Sequence, residues 1–475
     1  METLNAVINQ VNTVLWSYIL IVLLIGLGLY FTIRTGFVQI RYLGEMFRVL
    51  VEGVGNRGAG QISSFQAFCV STASRVGVGN IAGVAIAIVL GGPGAIFWMW
   101  MVAIVGSATG FVESTLAQIY KIPKGKWTFH GGPAYYIQNV LHMPKLAKLF
   151  SVLLMTTFAL VYNSLQANTI TLSLESAFGW DRTTVGLVVS LLIALVICGG
   201  AHFVARVAEM LVPVMAGAYL LITLVVIVMN FGKLPEVFSL IISNAFAPQA
   251  AVAGGFGACL MNGIKRGLFS NEAGEGSVPN AAATAYVTHP VKQGLIQSFG
   301  VYVDTLLICS ASAALVLLSG VYEIGGKVTG IELIQRCLAE EVGNWAIIFI
   351  GIMIMMFAFS SLVGNYYYGE INLAFLTDSK AALYIFRAAV VAMTMFGSIA
   401  SLPLVWNLAD LFMAFLATTN LYAIARLFKF VKITLDDYEQ QRNEGMDPEF
   451  DPHILPSLEG VYAWGMEKKI PDVVS

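Results

Sequence analysis

Phe65 to Leu90 reads FQAFCVSTASRVGVGNIAGVAIAIVL, and its middle is Ala73-Ser74-Arg75-Val76-Gly77-Val78-Gly79-Asn80. About 20 apolar residues cross a bilayer as a helix, and this stretch is long enough. Its centre is not built like a membrane helix. Two glycines two apart, with serine, arginine and asparagine beside them, lower the cost of leaving helical geometry near the midplane. A helix that breaks there frees backbone N–H and C=O groups that hydrocarbon cannot satisfy. Bound ions and solutes satisfy such groups in membrane proteins with discontinuous helices.

The rest of the chain supplies the membrane context. Of 475 residues, 57% are hydrophobic and 11% charged, with a mean hydropathy of +0.77. Soluble domains carry roughly 25% charge, and the continuous apolar runs lack the alternation of an outer-membrane barrel. The composition implies an all-α integral membrane protein that spans the lipid bilayer many times. A net charge of −2 gives no electrostatic basis for binding nucleic acid. Cys69, Cys198, Cys259, Cys309 and Cys337 show no metal-ligand spacing. The polar, acidic N-terminal residues lack the basic region of a cleaved signal peptide.

About eleven spans are expected, at 14–33, 62–90, 94–120, 147–172, 183–201, 206–230, 251–287, 292–319, 344–370, 381–398 and 403–429. With the N-terminus outside, sixteen Lys and Arg fall in inside loops and four in outside loops. That bias predicts an outside N-terminus and a cytoplasmic C-terminus. Setting aside an extra first helix (1–33) and a cytoplasmic amphipathic loop (34–61), ten spans divide into five and five, over 62–230 and 251–429. Each group starts with an interrupted helix. The second interruption reads Asn262-Gly263-Ile264-Lys265-Arg266-Gly267-Leu268-Phe269-Ser270-Asn271-Glu272-Ala273-Gly274-Glu275-Gly276. Five is odd, so the halves enter from opposite sides, as in an inverted repeat with a site between two broken helices. Stretches 235–246 and 330–341 are expected to be short extracellular helices over that site, and 430–475 a cytoplasmic tail.

Four groups of residues carry the chemistry. N–H groups of Gly77, Val78, Gly79 and Asn80, starting an outer half-helix, suit a carboxylate; carbonyls near Ala73 and Val76, ending the inner one, suit a cation. Close helix packing is the alternative use of the glycines. On the ninth span, Ser360 and Ser361 offer hydroxyls suited to a hard cation, unless they bond back to their own helix. Asn365 lies one turn beyond Ser361 on the same face. On the fourth span, Asn163 and Gln166 share a face and serve either a substrate or helix–helix bonding. Arg75 is the unusual residue: it binds an anion or is locked in a buried pair with Asp304 or Glu272. Glu113, Glu209 and Asp410 are further intramembrane acids, for which structural pairing is expected. No histidine lies near another, so no metal centre or histidine proton relay is expected.

These residues together resemble the alanine or glycine:cation symporter family. The resemblance rests on Val76-Gly77-Val78-Gly79-Asn80-Ile81-Ala82-Gly83, Gly91-Gly92-Pro93-Gly94-Ala95 and Gly131-Gly132-Pro133-Ala134-Tyr135-Tyr136. It continues in Gly267-Leu268-Phe269-Ser270-Asn271-Glu272-Ala273-Gly274 and Phe357-Ala358-Phe359-Ser360-Ser361, and covers about 60 to 430. It implies a leucine-transporter-type fold, sodium as coupling ion and no enzymatic activity. It further implies a sodium site from Ala73, Val76, Phe357, Ser360 and Ser361. The substrate's charged ends would fall on Gly77 to Asn80, with Gln166, Asn163, Asn365 and Gly263 of the seventh span completing the pocket. Many members of that family carry threonine where Arg75 and Val78 stand, and tryptophan where Asn365 stands.

The expectation is a sodium-coupled importer of small neutral amino acids, alanine and glycine, in the cytoplasmic (inner) membrane of a bacterium or archaeon. The alternatives are the same carrier mechanism with a larger polar substrate such as glutamine, or driven by protons. An intramembrane enzyme or a channel is the remote reading.

Overall fold

The protein is described from a computed structural model covering residues 2–55, 61–124, 128–199, 201–246 and 255–464. Arg57, Lys126, Lys468 and Lys469 lie outside the described residues, as do the side chains of His202, Arg206 and Glu209.

Among the described residues, eight helices are long and apolar enough to span a bilayer, and a ninth span is the bent pair at the first break. The eight are α1 (Val7–Arg34), α5 (Ala95–Ile119), α7 (Pro144–Phe178), α9 (Ala201–Met229), α13 (Pro290–Ser319), α15 (Trp345–Leu376), α16 (Lys380–Ile399) and α17 (Leu402–Asn443). The bent pair is α3 (Ser64–Arg75) and α4 (Gly79–Gly91), with 52° between them. The 17-residue apolar helix α8 (Arg182–Cys198) and the interrupted α11 (Gly255–Asn271) and α12 (Val278–Ala282) fill the two remaining expected segments. Shorter helices are α2 (Leu43–Gly55), α6 (Pro133–Asn139), α10 (Leu234–Phe246) and α14 (Gly330–Val342). A two-residue hairpin pairs Ile122 with His130 and Pro123 with Phe129.

The packing follows the two-fold pattern of the sequence. The second spans of the two halves pair with each other, α5 on α13, and so do the third spans, α7 on α15. The fourth spans also pack on each other, α8 on α16, and α16 packs on the third span α7 of the other half. The start of the first broken helix and the end of the second meet in a parallel bridge, Ile62 with Ala285. Helix α14 covers the turn at Gly79–Gly83, and α10 packs on α5.

Local chemistry sets each break. The inner half-helix opens with a capping box: Ser63 Oγ accepts from Gln66 N and Gln66 Oε1 accepts from Ser63 N, both at 3.1 Å. It ends where Val76 turns extended (φ −83°, ψ 90°). The second break is Glu272–Ser277, with φ of +55° at Glu272, +96° at Gly274 and +79° at Gly276. Gly274 and Gly276 hold a conformation that L side chains rarely adopt.

The second break is shorter than the glycine pattern suggests, because α11 runs unbroken to Asn271. Gly263 and Gly267 are packing glycines: a Cβ on Gly263 would lie 2.5 Å from Ala95 O, and one on Gly267 3.3 Å from Met99 Cα. Helix α17 also runs past the expected membrane edge to Asn443, and the chain after it folds back on the protein. Lys292 Nζ meets Asp447 Oδ1 at 2.8 Å, Phe450 N donates to Thr288 O at 3.0 Å, and Trp464 Nε1 donates to Gln118 O at 2.9 Å.

Candidate functional site

At the first break the freed groups have named partners. Gly77 N donates to Asn80 Oδ1 (3.0 Å) and Val78 N to Gln166 Oε1 (3.2 Å). Two amide oxygens thus occupy the direction in which a carboxylate would accept. Asn80 Nδ2 donates to Ser270 Oγ (2.9 Å) and Asp304 O (3.1 Å), tying α4 to α11 and α13. The glycines are needed for close approach. A methyl on Gly77 would overlap Ser361 Oγ and lie 3.1 Å from Gln166 Oε1, and one on Gly79 would overlap the Phe269 ring.

Oxygens converge beside this break. Ser361 Oγ lies 3.0 Å from Ala73 O and 3.1 Å from Phe357 O. Ser360 Oγ lies 2.8 Å from Phe357 O and 3.5 Å from Ala73 O. Ligands roughly 2.4 Å from a small hard cation stand roughly 3.4 Å apart when adjacent. Four neutral oxygens at 2.8–3.5 Å therefore fit such an ion in chemistry and in spacing.

Of the other expected residues, Asn163 and Asn365 come together: Asn365 Nδ2 donates to Asn163 Oδ1 at 3.1 Å. Asn365 Oδ1 lies 2.7 Å from Ser74 Oγ, which lies 2.9 Å from Glu272 Oε1. Gly263 is not in this group; it faces Ala95 and Trp98.

The buried charges sort themselves. Arg75 Nε lies 3.0 Å from Asp304 Oδ2, both side chains all but inaccessible, and its other nitrogens reach Ser71 Oγ and Gln297. Asp304, not Glu272, is therefore the ion-pair partner. Asp410 pairs with Arg266 and, at 3.3 Å, Lys265, and Arg266 lies over the Trp406 ring. Among the described residues Glu113 has no ion-pair partner, and it accepts from Gly274 N at 3.2 Å and Asn420 Nδ2 at 2.7 Å. Asn420 Nδ2 also donates to Gly274 O (3.0 Å), and Tyr136 OH donates to Asn420 Oδ1 (2.7 Å). Side chains thus satisfy the second break's backbone, as burial requires.

Sequence reasoning missed Tyr162, Phe269, Glu275 and Asn420. Tyr162 OH donates to Glu275 Oε2 at 3.1 Å, and its ring packs on Phe269 at 4.6 Å, which packs on Trp406 at 5.1 Å. This aromatic row lies along α4. The signal for Glu275 was present, a second acid in a glycine run; nothing in the sequence pointed to the aromatics, which look like ordinary core. A cavity of about 360 Å³ opens between α14 and α7, lined by Ala82, Thr169, Glu175, Lys327, Thr329 and Glu332. The pocket beside Ile62, Ser63 and Tyr286, at the opposite end of the broken helices, is about 100 Å³.

Residues 1–452 match the family profile described as sodium:alanine symporter family. The chain belongs to that family. A probable sodium/glutamine symporter of Bacillus subtilis is 50% identical over 463 residues, covering 98% of this chain and 96% of that one. An amino-acid carrier protein of the same organism is 48% identical, covering 98% of both. A sodium/alanine symporter of Methanococcus maripaludis is 36% identical, covering 89% of this chain and 94% of its own. A solved Na⁺-coupled sialic acid symporter has the same fold, with a TM-score of 0.50 at 15% identity, covering 77% of this chain and 81% of that one. The family member described here is a sodium-coupled amino-acid symporter and not an enzyme, built as an all-helical membrane protein on the leucine-transporter-type fold.

Proposed function

We propose that this symporter uses an inward sodium gradient to import an amino acid with a polar side chain, glutamine foremost. The observation that carries the reading is the set of buried amides at the first break, where Gln166 bonds Val78, and Asn163 and Asn365 bond each other beside Ser74. The substrate carboxylate takes the N–H groups of Gly77 and Val78, displacing the oxygens of Asn80 and Gln166. The half-helix α4 favours negative charge at its N-terminus. A side-chain amide then finds donors and acceptors of its own kind at Asn365 and Asn163. Similarity to a probable sodium/glutamine symporter supports this choice.

Sodium would be held by Ala73 O, Val76 O, Phe357 O, Ser360 Oγ and Ser361 Oγ. Bound, it supplies positive charge at the C-terminal end of α3, where free carbonyls point. Sodium and substrate are coupled because both stabilise the arrangement in which α3, α4, α7 and α15 close on one another. We place the N-terminus outside and the chain in the cytoplasmic membrane, with 62–230 and 251–429 as the two repeats. The 360 Å³ cavity is then the external approach to the site.

A smaller substrate, alanine or glycine, is the second reading. It is favoured by Phe269 and Gln166 standing directly against Gly79 and Gly77 and by similarity to an alanine carrier. Competition in proteoliposomes decides. Under a sodium gradient, excess unlabelled glutamine should abolish labelled glutamine uptake, with alanine at least tenfold weaker. The reverse order would establish the smaller substrate.

A further inference from the structure

Hydrogen-bond direction along one buried chain bears on the protonation of Glu272. The chain is anchored at a group that can only accept, the backbone carbonyl of Leu362. Asn163 Nδ2 donates to it at 3.3 Å, which turns Asn163 Oδ1 towards Asn365. Asn365 Nδ2 donates to that oxygen at 3.1 Å, which turns Asn365 Oδ1 towards Ser74. Ser74 Oγ stands 2.7 Å from Asn365 Oδ1 and 2.9 Å from Glu272 Oε1. A hydroxyl has one proton to give. It can go to Glu272 Oε1 or to Asn365 Oδ1 but not to both; of the two only the carboxyl oxygen can bring a proton of its own, so both contacts are kept when Ser74 gives its proton to the amide. The contact to Glu272 is then made only if Glu272 Oε1 carries a hydrogen and donates it to Ser74. The other carboxyl oxygen accepts from Ser277 Oγ at 2.6 Å.

Charge balance agrees. Arg75 is bound to Asp304, not to Glu272. The charged and titratable groups facing Glu272 are Arg75 on α3, Asp304 on α13, Tyr162 on α7, Tyr368 on α15 and Glu275 within the same break. An ionised Glu272 would be a buried anion whose nearest cation is already paired.

We propose that Glu272 holds an exchangeable proton, and that this proton governs whether Asn365 Oδ1 is free to receive a donor from the substrate. With the proton in place, Ser74 satisfies Asn365. When the proton leaves, Ser74 rotates its hydrogen to the carboxylate and Asn365 Oδ1 loses its donor. That oxygen is then open to a substrate N–H. Binding of an N–H-bearing substrate and loss of the Glu272 proton are thereby linked, and by reciprocity each promotes the other. The second break thus reads the state of the first through three side chains. Only the substrate half of this proposal rests on the transport reading above; the proton on Glu272 does not.

The test uses the purified full-length chain and Glu272→Gln. Glutamine reproduces both bonds, with Nε2 donating to Ser74 and Oε1 accepting from Ser277, so the variant should fold and melt like the parent. Its infrared spectrum should lose carboxylic-acid C=O intensity relative to the parent. Unchanged intensity, or no carboxylic-acid C=O band in the parent itself, would show an ionised Glu272 and overturn the proposal. In sodium buffer, the parent's affinity for glutamine should fall tenfold per pH unit of acidification where the proton is bound, the slope for one linked proton. In Glu272→Gln that slope should vanish; a slope that persists overturns the link. If neither protein binds any amino acid with sodium, the transport reading fails, while the infrared result still decides the proton.

Discussion

Gly77→Ala separates the geometric from the ionic role of the first break. The added methyl overlaps Ser361 Oγ, a short side chain with no flexible end to swing away. Ser361 must leave its rotamer and its contacts with Ala73 O at 3.0 Å and Phe357 O at 3.1 Å. One hydroxyl proton shared between two carbonyls, a hydrogen bond of about 1 kcal/mol, and an off-rotamer side chain at about 1 kcal/mol give a loss of about 2 kcal/mol. Ser361→Ala removes the obstructing oxygen at a cost of about 1 kcal/mol. The double variant Gly77→Ala/Ser361→Ala should therefore be more stable than Gly77→Ala alone, with a coupling of about 2 kcal/mol. Thermal unfolding of the purified variants measures this. Sodium should raise the melting temperature of the parent and leave that of both Ser361→Ala proteins almost unmoved. Additive losses, or a sodium shift that survives in the double variant, would refute the placement of Ser361 between Gly77 and the ion.

Other expectations follow from the buried charged layer and from the C-terminal segment. Asp304→Asn strands Arg75 in a dry site and should destabilise by about 3–5 kcal/mol; a cycle with Arg75→Gln should recover much of that loss. His289 lies outside the spanning part of α13, fully buried against Asp437 at 3.1 Å and the rings of Tyr438 and Phe450. Burial pushes its imidazole below the ordinary value, partly opposed by Asp437 and reinforced by Lys292. A lowered histidine stabilises fully above its unfolded value near 6.5 and loses that contribution as pH falls. Proteolysis of the C-terminal segment should therefore quicken on acidification below about pH 6.5, and the dependence should shrink in His289→Gln. Asn365→Ala should weaken glutamine uptake at least tenfold while changing alanine uptake less than threefold, measured as competing initial rates.

The architecture was legible because hydrocarbon leaves little choice. Continuous apolar runs and two interrupted segments suffice to give an all-helical membrane protein with two broken helices, and among the described residues eight spanning helices and one bent pair stand where such runs lie. Gly77 and Gly79 were readable as a break because polar residues flank them. Gly263 and Gly267 look the same in sequence but serve contact with Ala95 and Met99; only the facing helix distinguishes the two uses. Arg75 had two plausible acids, and choosing Asp304 required knowing that α13 brings it to 3.0 Å. The serines and amides around the first break were found because buried polar groups must have partners. Tyr162 and Phe269 were not, since an aromatic in an apolar run carries no signal of its own. The extension of α17 to Asn443 was hidden by its polarity, which marks the membrane's edge and not the helix's end.

Sodium-driven accumulation is the central claim, and uptake of labelled glutamine into proteoliposomes tests it most directly. With sodium outside and none inside, the account predicts uptake above the equilibrium level that collapses when the sodium gradient is dissipated. It also predicts loss of accumulation in Ser360→Ala/Ser361→Ala while that variant still exchanges substrate. Accumulation that persists without sodium and follows a proton gradient alone would contradict it.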